Sequence, residues 1–179
     1  MSIIDPLPLE QLDSPRLREM MAQAEALQVP DTQFFQILAH APGYAEALFD
    51  AFYKSHAEGN VSHKLKEIIR IQLARHAKDP YFNSLRSKKA IEEGLAEEDI
   101  EAGMGNFEAD DRFNSAEKWA LNYAYQMYRN PKKIDKSFYD EGKKHYSEAQ
   151  ITELGAFIAL HYGLQIFIRT LNLSPIGES

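Results

Sequence analysis

The stretch that decides the fold is LKEIIRIQLAR, residues 65–75, inside a longer helical run from about His63 to Lys78. Its apolar members are Leu65, Ile68, Ile69, Ile71, Leu73 and Ala74. At 100° per residue they cover most of the helix circumference, so this helix is predicted to be buried on more than one side. Ser62 before it supplies an N-cap, and Gly59-Asn60 a turn. Glu67 is the exception inside the run. It shares a stripe with Ile71 and Ala74 and neighbours His63 four residues back. A carboxylate at the edge of a core is either one half of a boundary ion pair with Arg70 or Lys66, or an acid or base with a raised pKa.

Working outward, every other segment also reads as helix or loop. Pro6, Pro8 and Pro15 mark an extended N-terminal arm that lies on a partner or on the domain itself. Ser14-Pro15 caps a helix from about Arg16 to Leu27, ended by Pro30. Phe34 to Leu38 reads as a short apolar turn, and Pro42-Gly43 as a break before a helix over Tyr44–His56. After the 63–78 helix, Asp79-Pro80 starts another over Tyr81–Glu93, stopped at Gly94. A short acidic helix, Glu97–Ala102, leads to a loop through Asn114. Asn114 with Glu117 and Ser147 with Gln150 are capping boxes. They open helices running through Tyr128 and over Glu148–Leu173, with Asp135–Lys144 between them. No alternating strand pattern is present. The fold class is therefore all-α. The chain divides into an arm and first helix, 1–33, and a helical domain, 34–179, forming a single domain overall.

Bulk composition bounds function. The 179 residues carry a net charge of −7, with the compact basic cluster Arg86, Lys88 and Lys89 followed directly by glutamates. That argues against a nucleic-acid partner and against an anionic membrane. No run of about 18 apolar residues is expected to span a membrane, and no signal segment is expected, so the expectation is a cytoplasmic protein. There is no cysteine, which excludes disulfides, thiolate metal sites and cysteine nucleophiles. The six histidines are scattered, no cofactor fingerprint or nucleophile elbow is present, and the expectation is neither metal nor cofactor.

Two further constellations carry possible chemistry. The last helix has a polar line through His161, Gln165, Arg169 and Asn172 in an otherwise apolar run. Spacings of four, four and three put them on one face, which lines a pocket, meets a partner chain or faces water. The junction after the buried helix gathers His76, Asp79, Tyr81 and Arg86, which alone reads as a turn.

These pieces taken in order resemble the carboxymuconolactone decarboxylase and alkylhydroperoxidase D-like superfamily. The 65–75 run resembles its signature helix. Glu92-Glu93-Gly94-Leu95 with Glu97–Ile100 matches its glycine-leucine, then acidic, turn, and 113–121 its next helix start. The likeness covers about residues 34 to 173. It implies a helical bundle around an antiparallel helix pair and a trimer or hexamer of identical chains. The peroxidase branch has a glutamate, a Cys-x-x-Cys pair and a histidine. Here Glu67 fills the glutamate position, while Asp79, Phe82 and Arg86 stand in the other three. Thiol peroxidase chemistry is excluded, because it needs a thiolate.

The decarboxylase branch implies a lyase, or a related isomerase, acting on a small organic acid or lactone. In that reading Glu67, His76, Tyr81 and Arg86 are the catalytic candidates, and Arg70, His63, His161 and Gln165 line the substrate. Arg86 or Arg70 would hold a carboxylate, and His76, Tyr81 or Glu67 would give the proton. The alternative is a non-catalytic binding or assembly module that keeps the fold. The two differ in the setting of Glu67: facing a cavity beside Arg86 or Tyr81 in an enzyme, closed off by packing or paired across chains in a module.

Overall fold

Local sequence signals start most of the helices. In the computed structural model, which describes residues 2–27 and 32–174, there are helices, turns and extended loops and no strand. The helices are α1 (Pro15–Leu27), α2 (Thr32–Leu38), α3 (Pro42–Ala57), α4 (His63–Ala77), α5 (Pro80–Ser84), α6 (Lys88–Glu92), α7 (Glu97–Met104), α8 (Ser115–Arg129), α9 (Lys136–Gly142) and α10 (Glu148–Thr170). The expected stop at Pro30 lies outside the described residues. Ser14 Oγ accepts from Leu17 N at 3.0 Å, and Ser62 Oγ from Leu65 N at 3.4 Å. Both expected capping boxes form: Asn114 with Glu117, and Ser147 with Gln150. Each satisfies two backbone donors that a helix start otherwise leaves open.

Side-chain contacts fix the directions. α3 and α4 form an antiparallel pair around the Gly59 turn, so that His56 meets Glu67 and His63 across it. Phe52 touches His161 and His56 touches Phe157, so α3 and α10 also run opposite ways. Lys66 pairs with Glu153 and Gln165 reaches Arg70 O, so α4 and α10 run the same way. Gly59 sits at φ +107°, and a Cβ there would enter the Glu153 carboxylate, which accepts from Asn60 N and Val61 N. The turn thus needs glycine for both conformation and space.

α4 is buried along nearly its whole length, as its apolar circumference requires. Two apolar clusters flank it. One joins α1, α2, α3, α5 and the end of α10; the other joins α4, α7, α8 and the first half of α10. The N-terminal arm lies on its own chain: Ile3 N donates to Leu171 O at 2.9 Å and Leu7 N to Gln36 O at 3.1 Å.

The structure corrects four expectations. Residues 34–38 are helical rather than a turn, and Pro42 begins α3 instead of breaking before it, as suits proline at a first helical position. The expected helix over 81–93 is two short helices separated by Leu85–Ser87. Its carbonyls are diverted: Phe82 O and Leu85 O accept from Arg70, and Asn83 O accepts from Arg86. Finally, α10, at 23 residues, is by length and composition long and apolar enough to cross a membrane, against the expectation that no stretch is. Its two sides differ: Ile151, Leu154, Phe157, Ile158, His161, Gln165 and Ile168 are buried, while Ala156, Ala159 and Gly163 are exposed.

Candidate functional site

Three elements converge on the Glu67 carboxylate. Its own helix supplies Arg70, one turn on, which donates Nε to Oε2 at 2.8 Å and Nη2 to Oε1 at 2.7 Å. The break between α5 and α6 supplies Ser87 N, 2.9 Å from Oε1. The end of α3 supplies His56, whose Nε2 lies 3.2 Å from Oε2, in ion-pair reach but off hydrogen-bond alignment. Glu67 is 0% exposed, Arg70 3% and His56 1%. Burial alone pushes the Glu67 carboxyl up, yet Arg70 and His56 together hold it well below the usual carboxylate range. It is an ionised buried carboxylate.

His63 braces this centre. Its Nε2 is 2.6 Å from Ser87 Oγ, and its Nδ1 contacts the His56 carbonyl. A carbonyl accepts only, so Nδ1 carries the proton and Nε2 accepts from the serine. Burial, followed by the neighbouring His56, lowers its pKa to about 3. His63 is neutral and fixes both the His56 backbone and the Ser87 loop.

His161 completes a histidine trio. Its ring lies 5.5 Å from His56 and 4.2 Å from Phe157, centroid to centroid, with Phe52 at 4.5 Å. Burial first, then the charges of its neighbours, holds it well below its ordinary pKa, and His56 is lowered mainly by burial too. Among the described residues, no protein group pairs with either ring nitrogen of His161, with His56 Nδ1 or with Gln165 Oε1. A buried polar atom left unpaired costs about 1–3 kcal/mol, which makes this trio the candidate site.

Of the sequence-derived candidates, Glu67, Arg70, His63, His161 and Gln165 come together here. His76, Tyr81 and Arg86 do not join them. His76 is nine residues past Glu67 on the same helix, which is half a turn out of phase and about 13 Å along the axis. Its ring stacks on Tyr128 at 5.3 Å. The Tyr81 hydroxyl accepts from Phe34 N at 3.2 Å. Arg86 is held by Glu97, at 2.7 and 3.0 Å, and by the carbonyls of Asn83 and Leu85. Arg70 is likewise occupied, by Glu67, Phe82 O and Leu85 O. Neither arginine is left to grip a substrate carboxylate.

Sequence reading missed His56 and Ser87. The signal for His56 was its place seven residues before His63 across a glycine turn, which a helical hairpin folds into contact. Ser87 carries no such signal, because its role depends on the break that Arg70 enforces. Asp79 caps α5 through Tyr81 N and Phe82 N, and burial pushes its pKa up to about 6. Among the described residues no group of three or more His, Asp or Glu is arranged to hold a metal ion.

No protein-family model matches the chain, and no curated protein matches it in sequence. Solved structures do match. The debrominase Bmp8, without ligand, is similar at TM-score 0.79 and 23% identity, over 99% of this chain and 94% of that one. A cysteine-to-alanine variant of Bmp8 in complex with 2,3,4-tribromopyrrole matches at TM-score 0.77 and 24% identity, over 96% and 90%. An uncharacterized peroxidase-related protein from Silicibacter sp. TM1040 matches at TM-score 0.79 and 14% identity, over 99% and 93%. The alkylhydroperoxidase AhpD core of a peroxidase-related protein from Ralstonia eutropha JMP134 matches at TM-score 0.74 and 14% identity, over 98% and 94%. The chain has the alkylhydroperoxidase D-like helical fold, and it has it without a single cysteine.

Proposed function

We propose that the protein is a cysteine-independent acid–base enzyme of the lyase or isomerase class, acting on a small lactone-like ring compound. The observation that carries this is the ionised, fully buried Glu67 beside a neutral His56. His56 accepts a proton from a carbon next to the substrate carbonyl, Glu67 stabilises the imidazolium so formed, and the proton returns to a different substrate atom. Arg70 and Ser87 keep the carboxylate oriented and ionised.

The sequence left an organic acid and a lactone open. With Arg70 and Arg86 both engaged by protein acceptors, an uncharged substrate fits better than a carboxylate. The fold neighbour bound to 2,3,4-tribromopyrrole, itself a small ring, agrees in ligand size. Thiol chemistry is excluded here, since the chain has no thiol.

A homo-oligomer, a trimer or hexamer, in the cytoplasm is part of this reading, supported by the exposed small and apolar side of α10. Light scattering that gives a monomer at micromolar concentration would remove it.

One observation favours the rival reading of a non-catalytic module: Glu67 is closed off by packing rather than facing a cavity. Deuterium uptake from heavy water into a panel of lactones, followed by proton NMR, separates the two. Uptake that His56→Phe abolishes supports the enzyme. No uptake by a well-folded wild type, or equal uptake by the variant, supports the module.

A further inference from the structure

One face of α4 holds the end of α3. His63, Lys66 and Glu67 stand at positions i, i+3 and i+4, so they project from the same side of the helix. Glu67 faces the His56 ring, and His63 Nδ1 meets the His56 carbonyl. Lys66 takes the carbonyls on either side: its Nζ donates to Ser55 O at 2.9 Å and to Glu58 O at 2.7 Å. The third ammonium proton goes to Glu153 Oε1 of α10, at 2.9 Å. All three donors of the lysine are used, and the residue is 1% exposed.

Capping alone does not account for a buried ammonium at this place. Glu58, Gly59 and Asn60 are exposed, so water can reach the turn and pair with the last carbonyls of α3. Burying a cation is costly, and here the cost is met only because every N–H has an acceptor. What bonds to α3, to the turn and to α10 add is a fixed position. His56 needs one. Its ring makes no aligned hydrogen bond of its own, yet its Nε2 lies 3.2 Å from Glu67 Oε2. Only its backbone and the rings of Phe52, Phe157 and His161, at 5.7, 5.9 and 5.5 Å, hold it there.

We infer that Lys66 is a positioning residue for the His56–Glu67 pair: by tying Ser55 O and Glu58 O to Glu153, it sets the approach of the imidazole to the carboxylate. It touches neither reacting group and acts through the backbone of α3. The catalytic meaning of the pair rests on the acid–base reading, while the positioning stands on its own geometry.

The test reads the His56 ring directly, by long-range proton–nitrogen NMR on the whole chain. The carboxylate opposite Nε2 favours the proton on that nitrogen, so wild type is expected to show the Nε2–H tautomer. Lys66→Met keeps the stem and removes all three donors. It should lose that preference and give ring shifts averaged between the two tautomers. Lys66→Arg, which keeps the charge and the donors, should recover the wild-type pattern. Phe138→Ala on α9 removes packing against Trp119, away from α3, and should leave the tautomer unchanged while lowering stability. Glu153→Gln weakens only the charged anchor, and it decides the matter where Lys66→Met does not fold: a partial loss of the preference supports the role. An unchanged tautomer in the folded Lys66→Met or Glu153→Gln protein would overturn the inference. So would the same loss in Phe138→Ala, or a Lys66→Arg protein that matches Lys66→Met. Deuterium uptake should fall in Lys66→Met by about a hundredfold, the usual effect of a misplacement near 1 Å. No uptake by wild type, with the tautomer pattern as expected, removes the acid–base reading and leaves the positioning role standing.

Discussion

Arg70 grips Glu67 with both of its acidic-facing nitrogens, at 2.7 and 2.8 Å, from one turn further along a single buried helix. The pair is nearly sealed from solvent, at 3% and 0% exposure. Arg70 then spends its remaining donors on Phe82 O and Leu85 O, at 2.5 and 2.6 Å, and so holds open the break that presents Ser87 N to the same carboxylate.

Breaking that pair should be costly and strongly coupled. Glu67→Gln or Arg70→Met alone is expected to destabilise by about 3–5 kcal/mol, because each leaves one buried charge without its partner. The double variant should cost clearly less than the sum of the two. Urea denaturation of all four proteins measures this, and simple additivity would contradict a closed pair.

His161→Phe should behave in the opposite way. The imidazole has two buried nitrogens with no protein partner, and a phenyl ring fills similar space beside Phe52 and Phe157. The expected result is unchanged stability or a gain of about 1–2 kcal/mol in urea. A loss above about 2 kcal/mol would mean that the ring is a structural polar contact instead.

Acid should destabilise the fold before most carboxylates titrate. His56, His63 and His161 are neutral in the folded chain, their pKa values depressed first by burial, His63 to about 3. The unfolded chain takes up these protons near pH 6.5, whereas the folded chain does not. Their stabilisation is fully present above about pH 6.5 and is lost as pH falls toward 3. With all three contributing, the slope approaches about 4 kcal/mol per pH unit. Denaturation midpoints at pH 7.5, 6 and 5 should fall steadily, and a flat profile would show that the histidines are protonated in the fold.

Asp79 works with the other sign. Burial raises its folded pKa to about 6, above the usual 3.8, so folding favours its protonated form. That stability is present below about pH 3.8 and is lost as pH rises through 6. Asp79→Asn keeps an N-cap oxygen for Tyr81 N and Phe82 N without the buried charge. It should stabilise the fold at pH 7.5 by about 1–3 kcal/mol, and the gain should vanish near pH 4. A loss of stability at pH 7.5 would show that the charge is needed.

Local patterns carried much of the fold. Ser14, Ser62, Asn114 and Ser147 announce helix starts through chemistry confined to three or four residues, and all four cap as read. The continuous helix expected over 81–93 failed for a non-local reason. Its carbonyls are claimed by Arg70 from another helix, an energetic gain that no periodicity within 81–93 records. The site divides in the same way. Glu67, Arg70 and His63 share one helix, and His161 and Gln165 share another, so each set was legible by spacing. His76 and Arg86 were placed near Glu67 by sequence order, but helical phase and the Glu97 pair keep them away.

By itself, then, the sequence determined an all-helical chain with a fully buried central helix, a carboxylate embedded in it and no thiol to react. Those follow from residue identity and helical period alone. Only the tertiary structure decided that this carboxylate is ionised rather than protonated, that His56 and Ser87 complete its surroundings, and that both arginines are already occupied. The reason is physical: a pKa and a free hydrogen-bonding valence depend on which groups from distant segments are packed within about 3 Å. That packing is set by how α3, α4 and α10 meet.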